Sequence, residues 1–325
     1  MHDQDSVYGQ VFIQEPVLLE LINTQAFQRL NQILQHGITG FLKITPPITR
    51  FQHSVGVMLL SQKLNAPLKE QIAALLHDIS HTAFSHVIDH VFREPTGQSY
   101  HERMKEQYLQ QSDIPPILAK YGYNWHEFVH EEAYPILEQP APALCTDRLD
   151  YFFRDGMALG LLTAAEVSQA ISHLTVQDNQ ICVDDISTAQ WLGYTYMRAD
   201  EQCWSNRQAI GLYELMAQLI QTGLQLSAIC EADVWLTDQK LWDKLSNSPE
   251  TDIQRQLAQL RRPVRFVEEK INPWREVTPK IRTLNPKVWI NGKGVWLTDL
   301  DAAFAHDLAV YKQRRQGVLS LAIAH

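Results

Sequence analysis

Residues 75–89, LLHDISHTAFSHVID, place a run of acid–base and metal-binding side chains directly beside an apolar stretch. The flanking residues have the apolar spacing of a buried helix, where an unpaired charge is costly. The fold must therefore give these side chains partners, such as a metal ion or one another. The side chains concerned are His77, Asp78, His81, His86 and Asp89.

The composition bounds the size and the partners of the protein. The chain has 325 residues, of which 45% are hydrophobic, and this suits one large globular domain or one domain with a small appendage. A net charge of −9 and an isoelectric point of about 5.8 argue against nucleic acid as the main substrate.

The expected compartment follows from the cysteines and from the hydrophobic runs. The four cysteines show no C-x-x-C spacing, which argues against a disulfide framework or a cysteine zinc site and favours a reducing compartment. The first residues, MHDQDSVYGQ, are polar and acidic, unlike a signal peptide. No run of about 18 apolar residues occurs, so we expect a cytoplasmic protein that does not enter a membrane.

Most of the chain has apolar residues at helical spacing. Within residues 16–36, Thr24 is a candidate cap that divides the segment into two short helices. The adjacent prolines of ITPPIT, residues 44–49, predict a loop because proline cannot continue a helix. Further helices are predicted at residues 53–65, 67–78, 83–93, 100–111, 126–138 and 140–155, and again across 187–247.

Two regions depart from this helical pattern. HLTVQDNQICVDD, residues 173–185, alternates apolar and polar residues around an Asp-Asn turn, which predicts a β-hairpin. We therefore predict a mainly α protein, with a helical domain over residues 1–250 that carries the hairpin and a small α+β region over 251–325. In the latter region the predicted strands are residues 264–271, 279–290 and 317–323, and the predicted helix is 299–314.

His77 and Asp78 indicate a metal site. Imidazole and carboxylate are common ligands of first-row metals where no thiolate is present. Adjacent residues on a helix point about 100° apart, but they can converge on one ion at the last helical turn. His53, three residues after Arg50, is a candidate third ligand, and Asp147 is a candidate fourth. Such a site leaves positions open for water and a phosphoryl oxygen.

The segment TDRLDYFFRD, residues 146–155, carries a polar stripe inside an apolar helix. Asp147, Arg148, Tyr151 and Asp155 fall roughly on one helical face, so the stripe suits the wall of a pocket. The neighbouring histidine-rich stretch supplies candidates for proton transfer. These are His81, Asp89 as a carboxylate that orients a histidine, and His101 in SYHER.

Five motifs together resemble the HD-domain metal-dependent phosphohydrolases. QAFQRLNQILQHG, TRFQHSVGV, LLHDISHTAFSHVID, YHER and TDRLDYFFRD occur in that family's order. The resemblance extends over roughly residues 15–165 and is strongest to the deoxynucleoside triphosphate triphosphohydrolase branch. It implies an HD-domain helical bundle that hydrolyses dNTPs to a deoxynucleoside and tripolyphosphate, by metal-activated attack of water at the α-phosphorus.

The resemblance also implies cofactors, assembly and residue roles. It implies one divalent transition metal (manganese, iron, nickel or zinc), magnesium bound with the nucleotide, and a homo-oligomer, either dimer or tetramer. The implied metal ligands are His53, His77, Asp78 and Asp147, and the implied acid–base set is His81, Asp89 and His101. The implied substrate contacts are Gln35 at the sugar 3′-hydroxyl, with Arg50, His86, Arg148, Tyr151 and Asp155 at the phosphates and sugar.

Some positions depart from the family pattern. Asn23 and Asn31 stand where regulated members carry an Asp and an Arg that bind an activating guanine nucleotide. Residues 197–212 correspond to the helix that holds the triphosphate and base, but Arg198 and Arg207 are its only cations. Two alternatives therefore stay open: a phosphomonoesterase or phosphodiesterase acting on another phosphorylated small molecule, and a non-catalytic nucleotide-binding regulator.

Overall fold

The computed structural model describes residues 2–93 and 98–324. Helices dominate these residues, and the strands form small sheets at their periphery, so the predicted mainly α fold is confirmed. None of the helices in the described ranges is long and apolar enough to cross a membrane.

The first elements are a hairpin and two short helices. Strands β1 (His2–Asp5) and β2 (Gly9–Phe12) pair in antiparallel fashion, which the sequence pattern did not predict. Helices α1 (Pro16–Ile22) and α2 (Gln25–Gln28) follow. The predicted division at Thr24 is confirmed, because the Thr24 hydroxyl accepts a hydrogen bond from the Phe27 amide at 3.3 Å.

The central bundle is built around α4. A capping box at Thr49 and Gln52 starts this helix after the proline loop. Helix α4 packs against α5 and α9 and buries apolar side chains such as Val57 and Leu60. The helices are α3 (Gly37–Phe41), α4 (Arg50–Lys63), α5 (Leu68–Leu76), α6 (Val87–Val91), α7 (Tyr100–Gln111), α8 (Ile114–Lys120), α9 (Thr146–Ala158) and α10 (Ala164–Ser172).

Three predicted helices differ from the structure, and of these the helix predicted at residues 140–155 begins only at Thr146. The helix predicted at residues 83–93 begins only at Val87, because Phe84 and Ser85 have positive φ angles of 60° and 51°. The helix predicted at 126–138 is wrong. Only short 3₁₀ turns form at Trp125–Phe128 and Glu131–Ala133, and Pro135 forces the preceding residue out of the helical region.

The second half combines helices with two sheets. Strands β3 (Leu174–Gln177) and β4 (Gln180–Val183) form the predicted hairpin, with positive φ at Asp178 and Asn179 as a tight two-residue turn requires. The elements are β3 (Leu174–Gln177), β4 (Gln180–Val183), α11 (Ile186–Ala199), α12 (Arg207–Gln225), α13 (Asp238–Ser246), α14 (Thr251–Leu260), β5 (Arg265–Glu268), β6 (Arg275–Val277), β7 (Lys287–Ile290), β8 (Lys293–Trp296), α15 (Leu297–Leu300), α16 (Ala302–Arg315) and β9 (Leu319–Ala324).

The strands after residue 251 join two different sheets. One sheet has the order β3-β4-β7-β8, with β4 and β7 parallel, so it pairs the hairpin with strands near the C-terminus. The other has the order β5-β9-β6. The strand predicted at residues 279–290 is confirmed only for Lys287–Ile290, since Pro279 and Pro286 have no N–H group to donate to a sheet.

The segment that carries the motif lies between two apolar cores. Leu75, Leu76 and Ile79 belong to the core beneath α4 and α9, whereas Ala83 and Phe84 belong to the core around α12–α14. Residues 77–86 therefore cross from one core to the other, and the first core fixes the end of α5 from which their side chains project.

Gly56 is required by a buried ion pair on α9. A Cβ at this position would lie 2.0 Å from Arg154 Nη2 and 2.1 Å from Asp150 Oδ1. We expect Gly56→Ala to lower the free energy of unfolding by about 3 kcal/mol, because it overpacks the site and displaces a buried pair. Urea denaturation followed by circular dichroism measures the change.

Gly40→Ala provides the matched control for this substitution. Its added Cβ would meet nothing closer than 3.5 Å, so we expect a change within about 1 kcal/mol. Equal losses for the two variants would contradict the steric explanation.

Candidate metal centre and active site

Four donor atoms from three elements converge at the end of α5. His53 Nε2, on α4, lies 2.9 Å from Asp147 Oδ1 on α9 and 3.3 Å from His77 Nε2. His77 Nε2 lies 3.5 Å from Asp147 Oδ1. Asp78 Oδ2 lies 3.6 Å from His53 Nε2 and 3.5 Å from His77 Nε2. Two carboxylates therefore lie against the same pair of imidazole nitrogens.

Hydrogen bonds on the far side of each imidazole hold the donor nitrogens in position. His53 Nδ1 lies 2.7 Å from Asp150 Oδ2, and His77 Nδ1 lies 2.8 Å from the Ala74 carbonyl oxygen. The Tyr8 hydroxyl donates to Asp150 Oδ1 at 2.8 Å, so the N-terminal hairpin supports the site. Partners of this kind fix the tautomer that leaves Nε2 free to bind a metal.

The residues present fit a divalent metal ion. His53, His77 and Asp147 form one group of possible metal ligands, and the Asp78 carboxylate adjoins both imidazoles, so the donors are of the nitrogen and oxygen types that bind first-row divalent metals. His53, His77, Asp78 and Asp147 would hold the ion. When bound, it supplies Lewis-acid chemistry, which polarises a phosphoryl oxygen and increases the acidity of water.

We expect metal affinity at this site to rise with pH. Burial alone would lower the pKa of His53, but hydrogen bonds to Asp147 and Asp150 outweigh burial and raise it to about 10 in the metal-free protein. Burial would lower the pKa of His77 as well, but Asp78 and Asp147 outweigh burial and raise it. A metal must displace these protons, so the apparent dissociation constant should fall at least about tenfold per pH unit below the pKa of His53. Titration calorimetry in buffers of different ionisation enthalpy measures the proton release. A pH-independent affinity with no proton release would contradict this.

His53, His77, Asp78 and Asp147 are called the metal-ligand cluster below. A second group of histidines, the histidine cluster, lies beside it. The rings of His81 and His101 stack with centroids 3.8 Å apart, and the His86 ring lies 5.0 Å from that of His81. Burial lowers the pKa of both His81 and His101 well below the ordinary value, so both rings are neutral near neutral pH. His81 Nε2 is 3.1 Å from Asp78 Oδ1 but off the hydrogen-bond direction.

Asp89 orients His86. Its Oδ2 lies 2.9 Å from His86 Nδ1, while its Oδ1 accepts a hydrogen bond from the Tyr100 amide at 2.7 Å. Burial would raise the pKa of Asp89, but the contacts with His86 and Tyr100 outweigh burial and hold it at about 2. The carboxylate is therefore ionised at neutral pH. The sequence pattern indicated that Asp89 orients a histidine, and the structure identifies His86 as its partner.

The candidate metal ligands, acid–base residues and substrate contacts all line one cavity of about 720 Å³. The volume falls within the range typical of small-molecule sites. The residues are Gln35, Arg50, His53, His77, Asp78, His81, His86, Asp89, His101, Asp147, Arg148, Tyr151 and Asp155.

Several of the predicted substrate contacts already have protein partners. Arg50 Nη1 donates to Asp78 Oδ2 at 2.6 Å, so this guanidinium neutralises a metal-site carboxylate. Arg148 donates to the Ala143 carbonyl oxygen at 2.7 Å and to Glu138 at 3.2 Å. These arginines are thereby fixed in orientation at the edge of the cavity.

The side chains of Gln35 and Asp155 differ in their hydrogen bonding. Asp155 lies 3.1 Å from His36 Nε2 and accepts a hydrogen bond from Trp204 Nε1 at 2.7 Å. The side-chain oxygen of Gln35 is buried and has no hydrogen-bond partner among the described residues. An acceptor in this condition is available to a ligand hydroxyl, whereas Asp155 positions cavity-lining residues.

The cavity also contains residues that the sequence pattern did not indicate. The Tyr151 and Tyr196 hydroxyls form a hydrogen bond, and Trp204 packs edge-on against Tyr151 with ring centroids 5.1 Å apart. Arg198 does not line the cavity and donates to the Leu161 carbonyl oxygen at 2.9 Å. Arg207 does not line it either, so neither cation of residues 197–212 is among the cavity-lining residues.

The chain is similar to known proteins in sequence. Residues 50–155 match the HD domain. The metal-dependent phosphohydrolase cns2 of Cordyceps militaris is 38% identical over 297 residues, which are 89% of this chain and 85% of that protein. The human deoxynucleoside triphosphate triphosphohydrolase SAMHD1 is 28% identical over 235 residues, which are 56% of this chain and 37% of that protein.

A solved structure shares the fold over the whole chain. The crystal structure of a phosphohydrolase from Bacteroides thetaiotaomicron superposes with a TM-score of 0.75 at 17% identity, covering 99% of this chain and 98% of that one. The helical bundle with its His/Asp cluster thus defines an HD-domain protein. Within that class the chain belongs to the metal-dependent phosphohydrolases, and it is a hydrolase acting on phosphorylated substrates.

Proposed function

We propose that the protein hydrolyses deoxynucleoside triphosphates to a deoxynucleoside and tripolyphosphate, by attack of water at the α-phosphorus. The observation that carries this proposal is the shared cavity. One space of about 720 Å³ is bordered by the metal-ligand cluster, the histidine cluster and several cationic side chains. This combination suits a small, highly anionic substrate that needs both Lewis-acid and proton-transfer chemistry.

The cavity also has a surface suited to a nucleoside. Tyr151, Tyr196 and Trp204 form an aromatic wall, on which a planar base can stack. Gln35 presents its buried acceptor for a sugar hydroxyl. The similarity to human SAMHD1, whose name states dNTP triphosphohydrolase activity, supports the same substrate class for this chain.

The reaction joins the water oxygen to the α-phosphorus and breaks the bond from that phosphorus to the 5′-oxygen. The leaving 5′-oxygen requires a proton. His86 is the best-placed donor, because it faces the cavity, remains partly exposed and is held by the ionised Asp89. His81 and His101 are buried and neutral, so they would shape the site beside His86.

The metal in this proposal is a divalent transition ion such as manganese, iron, nickel or zinc, with magnesium accompanying the nucleotide. The ligand types suit all of these transition ions, and availability decides among them. Elemental analysis of the purified protein identifies the resident ion.

A panel of nucleotides tests the proposal. Protein supplied with Mn²⁺ is incubated with dNTPs, NTPs and deoxynucleoside mono- and diphosphates, and the products are separated by ion-exchange chromatography. Tripolyphosphate and deoxynucleoside in equal amounts support the proposal. A metal-loaded protein that is inert towards every nucleotide would contradict the proposal. Release of inorganic phosphate would favour the phosphomonoesterase alternative.

A further inference from the structure

A segment near the C-terminus forms part of the cavity wall. Residues 277–283, from the last residue of β6 towards β7, line the cavity without interruption. This segment was predicted as part of a strand, but residues 278–286 have no regular secondary structure. It carries two cations, Lys280 and Arg282, into the space that holds the metal-ligand cluster.

Neither cation is used in a close ion pair among the described residues. Arg282 Nη1 lies 3.9 Å from Asp200 Oδ1 and 3.5 Å from the Ser205 hydroxyl oxygen. Asp200 is already satisfied at shorter range by the Ser205 hydroxyl at 2.6 Å and the Tyr311 hydroxyl at 2.8 Å. Within the described residues, the Lys280 ammonium makes no hydrogen bond and no ion pair.

Both cations share the cavity wall with a third, Arg148. Burial lowers the pKa of Lys280 and the charges of Arg282 and Arg148 act in the same direction, whereas the charges of Glu102 and Glu138 oppose them. Lys280 is accessible to solvent yet surrounded by protein, as expected for a side chain inside a concave site. Like charges repel when brought together, so a group of this kind is stabilised when an anion binds between its members.

We propose that Lys280 and Arg282, together with Arg148, bind the phosphates that are not attacked, so that the site selects polyphosphorylated nucleotides over monophosphates. This rests on the proposed function. It also explains how the cavity holds a polyanion although Arg198 and Arg207 lie outside it. The C-terminal segment provides the cations that α11 and α12 do not.

Binding of inorganic tripolyphosphate to Mn²⁺-loaded protein, measured by titration calorimetry, tests the subsite. We expect Lys280→Ala and Arg282→Gln each to weaken this binding about tenfold, the effect of losing one charge-assisted contact. Arg198→Ala, which removes an exposed arginine outside the cavity, should leave it within about twofold. Thermal unfolding of each variant confirms that the fold is intact, and Lys280→Ala breaks no side-chain hydrogen bond or ion pair among the described residues.

The outcomes separate this inference from the proposed function. Unchanged tripolyphosphate binding in both variants would overturn the subsite even if the wild-type protein hydrolyses dNTPs. Weakened binding in the variants, with a wild-type protein inert towards dNTPs, would support the subsite and contradict the dNTP assignment. With an active enzyme, we expect the variants to raise KM for dNTPs more than they lower kcat.

Discussion

Asp147→Asn should abolish metal-dependent hydrolysis while leaving the fold intact. Asp147 is the least buried of the four candidate ligands, with a side chain 25% exposed, so the isosteric change disturbs packing least. Burial favours its neutral form, but His53 and His77 beside it hold the pKa of the carboxyl well below its usual range. The amide cannot supply that charge, so we expect loss of the metal and a rate at least about 10³-fold lower.

Elemental analysis and steady-state kinetics measure the two effects on the same preparation. Asp184→Asn is the matched control, because Asp184 also pairs with a histidine, His173, at 2.7 Å but lies on the surface. We expect that variant to retain its metal and its activity. An Asp147→Asn protein with full metal content and full rate would show that the cluster is not the metal site.

His86→Gln should give the second largest loss. Removing a positioned acid–base group typically costs about 10²–10⁴ in rate. Asp89→Asn should cost less, about 10–100-fold, because it leaves His86 in place without its orienting carboxylate. We expect both losses in kcat, with the metal content unchanged, since neither residue belongs to the metal-ligand cluster.

His173→Gln controls for the general effect of replacing a histidine that is paired with a carboxylate. It should leave kcat within about twofold, as expected for a surface pair. A His86→Gln enzyme with wild-type kcat would remove His86 from proton transfer and return the role to His81 or His101.

The features that the sequence predicted best are those that depend on the chemistry of residues close together in the chain. The grouping of His53, His77, Asp78 and Asp147 follows from ligand types at the ends and first turns of helices. The structure groups His53, His77 and Asp147 and places the Asp78 carboxylate beside both histidines. The β-hairpin was predictable because Asp178 and Asn179 have the side chains that tolerate positive φ. Thr24 likewise marks a helix start through its own hydroxyl.

Contacts between distant parts of the chain could not be predicted in this way. Tyr8 reaches Asp150, and Lys280 and Arg282 enter the cavity, only because the fold brings those segments back to the bundle. In sequence, the segment around residue 280 resembles an edge strand, and only its prolines indicate otherwise. Similarly, the positive φ angles at Phe84 and Ser85, which shorten α6, depend on tertiary hydrogen bonds such as that from the Phe84 amide to Asp238.

Hydrolysis of a dNTP in oxygen-18 water tests the central claim most directly, because the label reports which phosphorus is attacked. Water attack at the α-phosphorus predicts one labelled oxygen in tripolyphosphate and an unlabelled 5′-hydroxyl on the deoxynucleoside, both read by mass spectrometry. Labelled inorganic phosphate with an unlabelled deoxynucleoside diphosphate would instead place the attack at the terminal phosphorus and contradict the account.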